Sequence, residues 1–347
     1  MNNKYVGMDI HLATTSCAVL DEDGKLLMST VLQTKAEFIR SFLQSLNGTI
    51  HLTFEETTLA HWMFEITQPL VFRVIVCNAR KLGRKEQKND ARDAKDLADL
   101  LRLNGLKGVY HYHRQTISSV KQLVVIYNQL TTDRTRIINR IKSVFREQAL
   151  TVKVESEEMA QSLGQLPSEA HRERVKLLVA ELESVSRLRE LARQQMVTEA
   201  EKHRSYRLLQ SLPGISSIRA AQLLAWVITP HRFRTKRQFW KYCGLSVITK
   251  SSADYQVKSG AIVRRERKAE TFGLTKEYHR GLKNLFKAAA LDGLRNKQIH
   301  RIYQQLIERG LRESVARVQL ARKIAASCLA IWKRGEKFDL ERMISEV

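Results

Sequence analysis

Proline is nearly missing from this chain: four in 347 residues, alongside 15 glycines. So few breakers exclude a loop-rich architecture and predict long regular elements. Cysteine is equally sparse. Cys17, Cys77, Cys243 and Cys328 stand far apart, with no C-x-x-C pair and no nearby histidine partner. That spacing disfavours a disulfide scaffold and a zinc site, and predicts four reduced, mostly buried thiols in a cytoplasmic protein. No apolar run reaches the ~18 residues that a membrane span needs, and Leu223–Ile228 is among the longest. The opening Met-Asn-Asn-Lys-Tyr-Val-Gly has neither the apolar stretch nor the small-residue cleavage site of a signal peptide. Acidic residues are also in short supply, 36 Asp and Glu against 59 Lys and Arg, for a net charge of +23. An excess that large predicts a polyanionic partner, and without a membrane segment nucleic acid is the better choice. Hydrophobic residues make up 43%, which is enough for a packed core and excludes wholesale disorder.

Up to residue 110 the pattern is mixed α/β. Tyr5–Ile10 reads as a short apolar strand, and two further runs, 15–20 and 25–32, flank Asp21-Glu22-Asp23-Gly24, a hairpin-turn signal. Phe38, Ile39, Phe42, Leu43 and Leu46 have helical spacing; residues 50–54 alternate as a strand. A helix over 62–70 and a buried strand over 72–77 follow. A meander followed by alternating helices and strands is the layout of the ribonuclease-H-like fold. The actin-like ATPase fold begins the same way. Those ATPases need a glycine-bearing phosphate loop after the first acid, and Asp9-Ile10-His11-Leu12-Ala13-Thr14-Thr15 has no glycine.

Residues 115–205 carry the period of long helices. Ile117, Val120, Val124, Tyr127, Leu130, Arg134, Ile137, Ile141 and Val144 step by three and four, and Val175 to Met196 forms a second series. A polar segment with Gly164 and Pro167 separates them. This predicts an antiparallel hairpin or a coiled coil between chains; the charged Arg134 in the seam leaves an ordinary helical bundle equally open. From residue 206 the chain reads as mainly helical. Leu212-Pro213-Gly214-Ile215 resembles the turn of a helix-hairpin-helix element, whose second helix would offer its N-terminal amides to a phosphate. Residues 231–290 then hold 15 Lys and Arg against 4 Asp and Glu, nearly half the net charge in a sixth of the length. Arg232, Arg234, Lys236, Arg237, Lys241, Lys250, Arg264, Arg265, Arg267 and Lys268 are the candidate phosphate contacts. Phe233, Phe239, Trp240, Tyr242, Tyr255, Phe272 and Tyr278 are interleaved with them, as stacking on bases would require.

Among so many cations, acids at strand ends stand out. Asp9 lies near the end of the first strand and Glu55 closes the fourth, while Asp90 and Asp93 open a helix three residues apart, on one face. In a ribonuclease-H-like sheet the first and fourth strands are neighbours, so all four acids would converge at one edge. Clustered carboxylates raise one another's pKa unless a hard cation is present. Mg²⁺ suits such a set, and two ions can serve phosphodiester cleavage. Each acid alone has a structural explanation, and Asp90 and Asp93 also suit a helix N-terminus. The ordered set on this topology carries the inference.

Val6-Gly7-Met8-Asp9, Phe54-Glu55-Glu56-Thr57, Asp90-Ala91-Arg92-Asp93-Ala94, Leu212-Pro213-Gly214-Ile215 and Phe233 with Tyr242-Cys243-Gly244-Leu245 occur in an order and spacing that resemble a known family. It is the DEDD transposases of bridge-RNA insertion sequences, relatives of the Piv-type DNA invertases. The resemblance implies a RuvC-like domain over 1–148, a coiled-coil linker over 149–205 and a C-terminal transposase domain over 206–347. It implies a prokaryotic recombinase that cuts and rejoins donor and target double-stranded DNA, guided by a structured non-coding RNA. It also implies Mg²⁺ on Asp9, Glu55, Asp90 and Asp93, and oligomers through the coiled coil, the acids of one protomer meeting the serine of another. A catalytic serine eight residues after Gly244 falls on Ser252, with Ser251 and Ser259 as competitors. A covalent serine–DNA intermediate goes with it. Two other readings stay open: a junction-resolvase-like metal nuclease in which water attacks, and a non-catalytic nucleic-acid-binding protein.

Overall fold

A computed structural model describes residues 2–78, 90–106, 108–109, 117–155, 158–250, 255–258, 260–264 and 270–341. The chain divides into two compact units, Met1–Thr116 and Ile117–Val347.

The first unit is built on a five-stranded mixed sheet. Strands β1 (Asn3–Ile10), β2 (Thr14–Leu20) and β3 (Leu26–Gln33) form an antiparallel meander; helix α1 (Ala36–Ser45) leads to β4 (Thr49–Glu55), and α2 (Ala60–Thr67) to β5 (Arg73–Cys77). The sheet order is β3-β2-β1-β4-β5, with β1 and β4 parallel neighbours, as a ribonuclease-H-like fold requires. Side chains alternate across a strand. Val6, Met8, Ile10, Ile50, Leu52 and Phe54 therefore share one face, where they pack with Ile39, Phe42 and Leu43 of α1 and Met63 and Ile66 of α2.

The opposite face carries Tyr5, Gly7 and Asp9 on β1 and His51, Thr53 and Glu55 on β4. It is covered by α3 (Asp90–Arg102), which buries Ala94, Leu97, Ala98 and Leu101. Gly7 makes that contact possible. A Cβ there would lie 2.0 Å from the Ala94 carbonyl oxygen and 2.6 Å from the Ala98 nitrogen, both backbone atoms. The absence of a side chain at Gly7 thus sets how closely α3 approaches β1, and through α3 where Asp90 and Asp93 sit.

The second unit is mainly helical. The two periodic series form α4 (Ser118–Arg146) and α6 (Glu169–Glu201), separated by the short α5 (Glu158–Leu163). They pair within the chain as an antiparallel hairpin. Val120, Val124 and Tyr127 share a core with Ala192, Met196 and Ala200, and Ile137, Ile141 and Val144 share one with Val175 and Leu182. The polar seam residues are satisfied locally: Arg134 pairs with Glu155, and Arg189 donates to the Tyr127 hydroxyl at 2.8 Å and to Thr131 Oγ1 at 3.0 Å.

Beyond this hairpin come α7 (Arg204–Gln210), α8 (Ser217–Val227), α9 (Lys236–Tyr242), α10 (Arg280–Gly293), α11 (Lys297–Glu308) and α12 (Glu313–Arg334) around one core. Among the described residues, four short strands lie between α9 and α10 within this mainly helical unit. They are β6 (Val247–Lys250), β7 (Tyr255–Lys258), β8 (Ala261–Arg264) and β9 (Glu270–Leu274), pairing β6 with β9 and β7 with β8. No helix among the described residues is long and apolar enough to cross a membrane.

Candidate active site

Asp9 is the second-last residue of β1, on the face that α3 covers. The next residue on that face is His11, in the tight turn to β2. Its Nε2 lies 3.3 Å from Asp9 Oδ2 and 3.6 Å from Asp90 Oδ2. Asp90 is the first residue of α3, so the positive helix end lies beside its carboxylate. Ligand atoms of Asp9, His11 and Asp90 all lie within 4.8 Å of one another. Asp9 is half-buried. Burial above all holds its carboxyl above the ordinary carboxylate range; the negative charges of Asp90 and Asp93 push the same way, and His11 opposes them.

Glu55 ends β4 on the same sheet face. Register along the parallel pair runs to Met8 opposite Phe54, which puts Glu55 one step beyond, beside Asp9's level. Its negative charge is also felt by the neighbouring Cys77 thiol, which burial pushes up to about 11. The structure thus brings Asp9 and Asp90 together, sets Asp93 within electrostatic reach of Asp9, and places Glu55 on the adjoining strand end. Asp99, further along α3, is engaged elsewhere: it accepts from Arg102 Nε and Nη2 at 2.9 and 2.7 Å. Two carboxylate oxygens and an imidazole nitrogen in so small a volume, with more negative charge close by, fit a divalent cation. His11 is the group that sequence reasoning passed over. The signal was there: residue i+2 on a strand end shares a face with residue i.

The basic segment resolves into inward and outward residues. On α9, Lys236, Arg237 and Lys241 are exposed, as is Arg234 just before it. Arg232 is half-buried, with its guanidinium 4.8 Å from the Tyr242 ring and 5.2 Å from the Phe233 ring. Phe233 and Phe239 correct the stacking expectation. Both are buried, with centroids 5.0 Å apart, and Phe239 meets Phe286 edge-on, so they hold the core and are not available to bases. Tyr255 and Phe272 are the aromatics that point outward. Lys250 and Arg264 end β6 and β8, where the backbone alone is described. Ser251, Ser252, Ser259, Arg265, Arg267 and Lys268 lie outside the described residues.

The Pro213-Gly214 turn joins α7 to α8 as expected. Gly214 has φ +84°, and a Cβ there would meet the Ala289 carbonyl oxygen at 2.1 Å. The turn borders a cleft of ≈ 530 Å³. Arg219 in that cleft is already committed, donating to the Gly214 carbonyl at 2.8 Å and to Asp292 at 2.5 Å.

A ribonuclease-H-like sheet with acids gathered at the end of its first strand defines a class of metal-dependent enzymes that act on phosphodiesters. Residues 6–148 match a family model for DEDD transposases, described as a transposase, and residues 206–304 match one described as transposase IS116/IS110/IS902 family. The chain belongs to the IS110 family of transposases, enzymes that bind DNA, cleave it and transfer its strands with a divalent metal. No curated protein matches the sequence.

Proposed function

We propose that this transposase is an RNA-guided recombinase in which Asp9, Glu55, Asp90 and Asp93 hold Mg²⁺, as two ions, and Ser252 is the nucleophile. The observation that carries the acid assignment is the convergence of Asp9 and Asp90 at the end of β1. When bound, the metal supplies Lewis acidity that offsets charge building on the scissile phosphate. The residues do the rest. The Ser252 hydroxyl oxygen attacks phosphorus, a serine–phosphate bond forms, and the bond to the leaving oxygen breaks. A serine hydroxyl titrates far above neutrality, so it needs a neighbouring base, and no histidine adjoins Ser252 in sequence. The carboxylates are the groups chemically suited to receive its proton. The functional division proposed is 1–148 for the acids, 149–205 as linker and 206–347 for the serine. Acids and serine act from different protomers of an oligomer.

Guidance by a structured RNA accounts for a +23 chain with no zinc-finger spacing and no evident base-reading helix. Phosphate contacts then supply affinity, and base pairing supplies sequence. Arg234, Lys236, Arg237 and Lys241 are the proposed contacts best exposed for this. The decisive experiment traps a covalent protein–DNA adduct under denaturing conditions, in the presence of RNA encoded beside the gene. Wild type forms the adduct; Ser252→Ala binds nucleic acid and forms none, while Ser251→Ala and Ser259→Ala still do. Mixing Ser252→Ala with Asp9→Asn protein restores cleavage if the two act in trans. Cleavage without any adduct would leave a water-driven nuclease, and an adduct mapped to another serine would move the nucleophile.

A further inference from the structure

We propose that His11 is itself a ligand of the catalytic metal, giving the site one nitrogen donor beside the carboxylates of Asp9 and Asp90. This deepens the reading that the acids hold a divalent ion, and rests on it. The four acids alone would make an all-oxygen site. The structure adds an imidazole whose Nε2 faces both Asp9 Oδ2, at 3.3 Å, and Asp90 Oδ2, at 3.6 Å. Three donor atoms with mutual separations under 4.8 Å can share one ion by small side-chain adjustments. As a mere surface ion pair the arrangement would contribute little, because exposed pairs are screened by water.

The backbone beneath the ring is fixed with some care. The His11 N–H donates to the Thr14 carbonyl at 2.9 Å, and the His11 carbonyl accepts from Thr34 Oγ1 at 2.8 Å. Thr34 is held in turn by Thr15, with hydroxyl oxygens 2.9 Å apart, and by its own N–H to the Ala13 carbonyl at 3.0 Å. The turn between β1 and β2 is therefore tied to the end of β3, and the imidazole is presented from a rigid base. The His11–Thr14 and Thr34–Ala13 backbone bonds carry the β1–β2 and β2–β3 ladders one step further, so the sheet itself holds the backbone while the His11 side chain stays exposed. A ligand that must meet two carboxylates from separate elements does benefit from a pre-set backbone.

A nitrogen donor changes which metals the site prefers. Carboxylate sites suit Mg²⁺, whereas imidazole strengthens binding of first-row transition ions, so His11 biases the site toward Mn²⁺ or Co²⁺ over Mg²⁺. The test uses the full-length protein, free of any histidine tag, loaded with Mn²⁺ and measured by pulsed electron paramagnetic resonance. Wild type should show ¹⁴N modulation from a directly bonded imidazole. His11→Ala and His11→Asn should still bind Mn²⁺, about tenfold or more weakly, without that modulation, while their Mg²⁺ affinity falls by less. Circular dichroism confirms that the variants fold. Modulation missing from Mn²⁺-loaded wild type, or persisting in both variants, overturns the assignment of His11 alone. Absence of Mn²⁺ binding in wild type overturns the acid site along with it.

Discussion

Replacing Gly7 by alanine tests the fold and the site at once. Its Cβ would stand 2.0 Å from the Ala94 carbonyl oxygen, and real Cβ contacts essentially never fall under 3.0 Å. The gap between β1 and α3 must therefore open by about 1 Å, and no side chain can yield, because both obstructing atoms are backbone. Overpacking of this kind costs about 1–3 kcal/mol, and the rigidity of both elements argues for the upper half of that range. Asp90 is one helical turn from Ala94, so the displacement carries its carboxylate away from Asp9 and His11. A misplacement of about 1 Å costs on the order of 10²-fold in activity. Urea denaturation and Mn²⁺ titration of the same samples read the two effects separately. Gly164→Ala is the control, since its Cβ would make only an ordinary 3.5 Å contact. Wild-type stability within about 0.5 kcal/mol together with unchanged Mn²⁺ affinity in Gly7→Ala would refute the close-packing argument.

Asp9→Asn should raise the melting temperature of metal-free protein, because burial and the negative neighbours Asp90 and Asp93 oppose its charge. The same variant should lose the stabilisation that wild type gains from Mn²⁺; differential scanning fluorimetry with and without metal checks both. The thiols should resist a disulfide reagent in the native protein and react in denaturant. Burial pushes Cys17 and Cys328 up to about 12, and Cys77 to about 11. His279 predicts a pH dependence of stability in the second unit. Its Nδ1 accepts from the Leu282 N–H at 3.2 Å, and its ring lies against Trp226 and Tyr242. Burial, with the Arg232 charge as a lesser cause, lowers its pKa from the ordinary 6.5, so folding favours the neutral ring. That stability is complete above the unfolded value and is lost as pH falls through it toward the folded one. Urea midpoints at about pH 7.5 and about pH 5.5 should therefore diverge more in wild type than in His279→Asn, which keeps a capping oxygen but cannot titrate.

Long elements were legible in the sequence because each carries many periods. The series from Val120 to Val144 steps around nearly seven turns, and it forms one helix. The adjacency of β1 and β4 followed from topology, once a meander and two helix-linked strands had been recognised. The strands β6 to β9 were not legible. A strand of four residues holds only two alternations, and Lys250, Lys258 and Arg264 at its ends read equally well as a solvated surface. Phe233 and Phe239 show the same limit from the other side: composition gives no direction, and burial among Tyr242, Cys243 and Phe286 decides it. At the candidate site the acids could be found by type and order. His11 could be found only from its shared face with Asp9, and Gly7 only from the atoms that a side chain would strike.

The charge distribution imposes an order on the chemistry. Fifty-nine cations against 36 anions draw any polynucleotide toward the chain. Yet Asp9, Asp90 and Asp93 gather at one place, where burial above all, with the charges of Asp90 and Asp93 adding to it, holds the Asp9 carboxyl above its ordinary range. A phosphodiester at that point meets repulsion from the groups that would act on it. With the proposed metal bound, the local sign would reverse, and the carboxylates that repelled the phosphate would hold the ion that attracts it. On that reading metal and DNA should bind with positive coupling, each raising affinity for the other by the same factor. The basic surface is expected to need no such help, so DNA binding through Arg234, Lys236, Arg237 and Lys241 should persist in EDTA. The expected outcome is a chain that still binds DNA without metal and does not cleave it, checked by gel-shift and cleavage assays with and without Mn²⁺. Loss of DNA binding in the metal-free protein would refute that separation of holding from cutting.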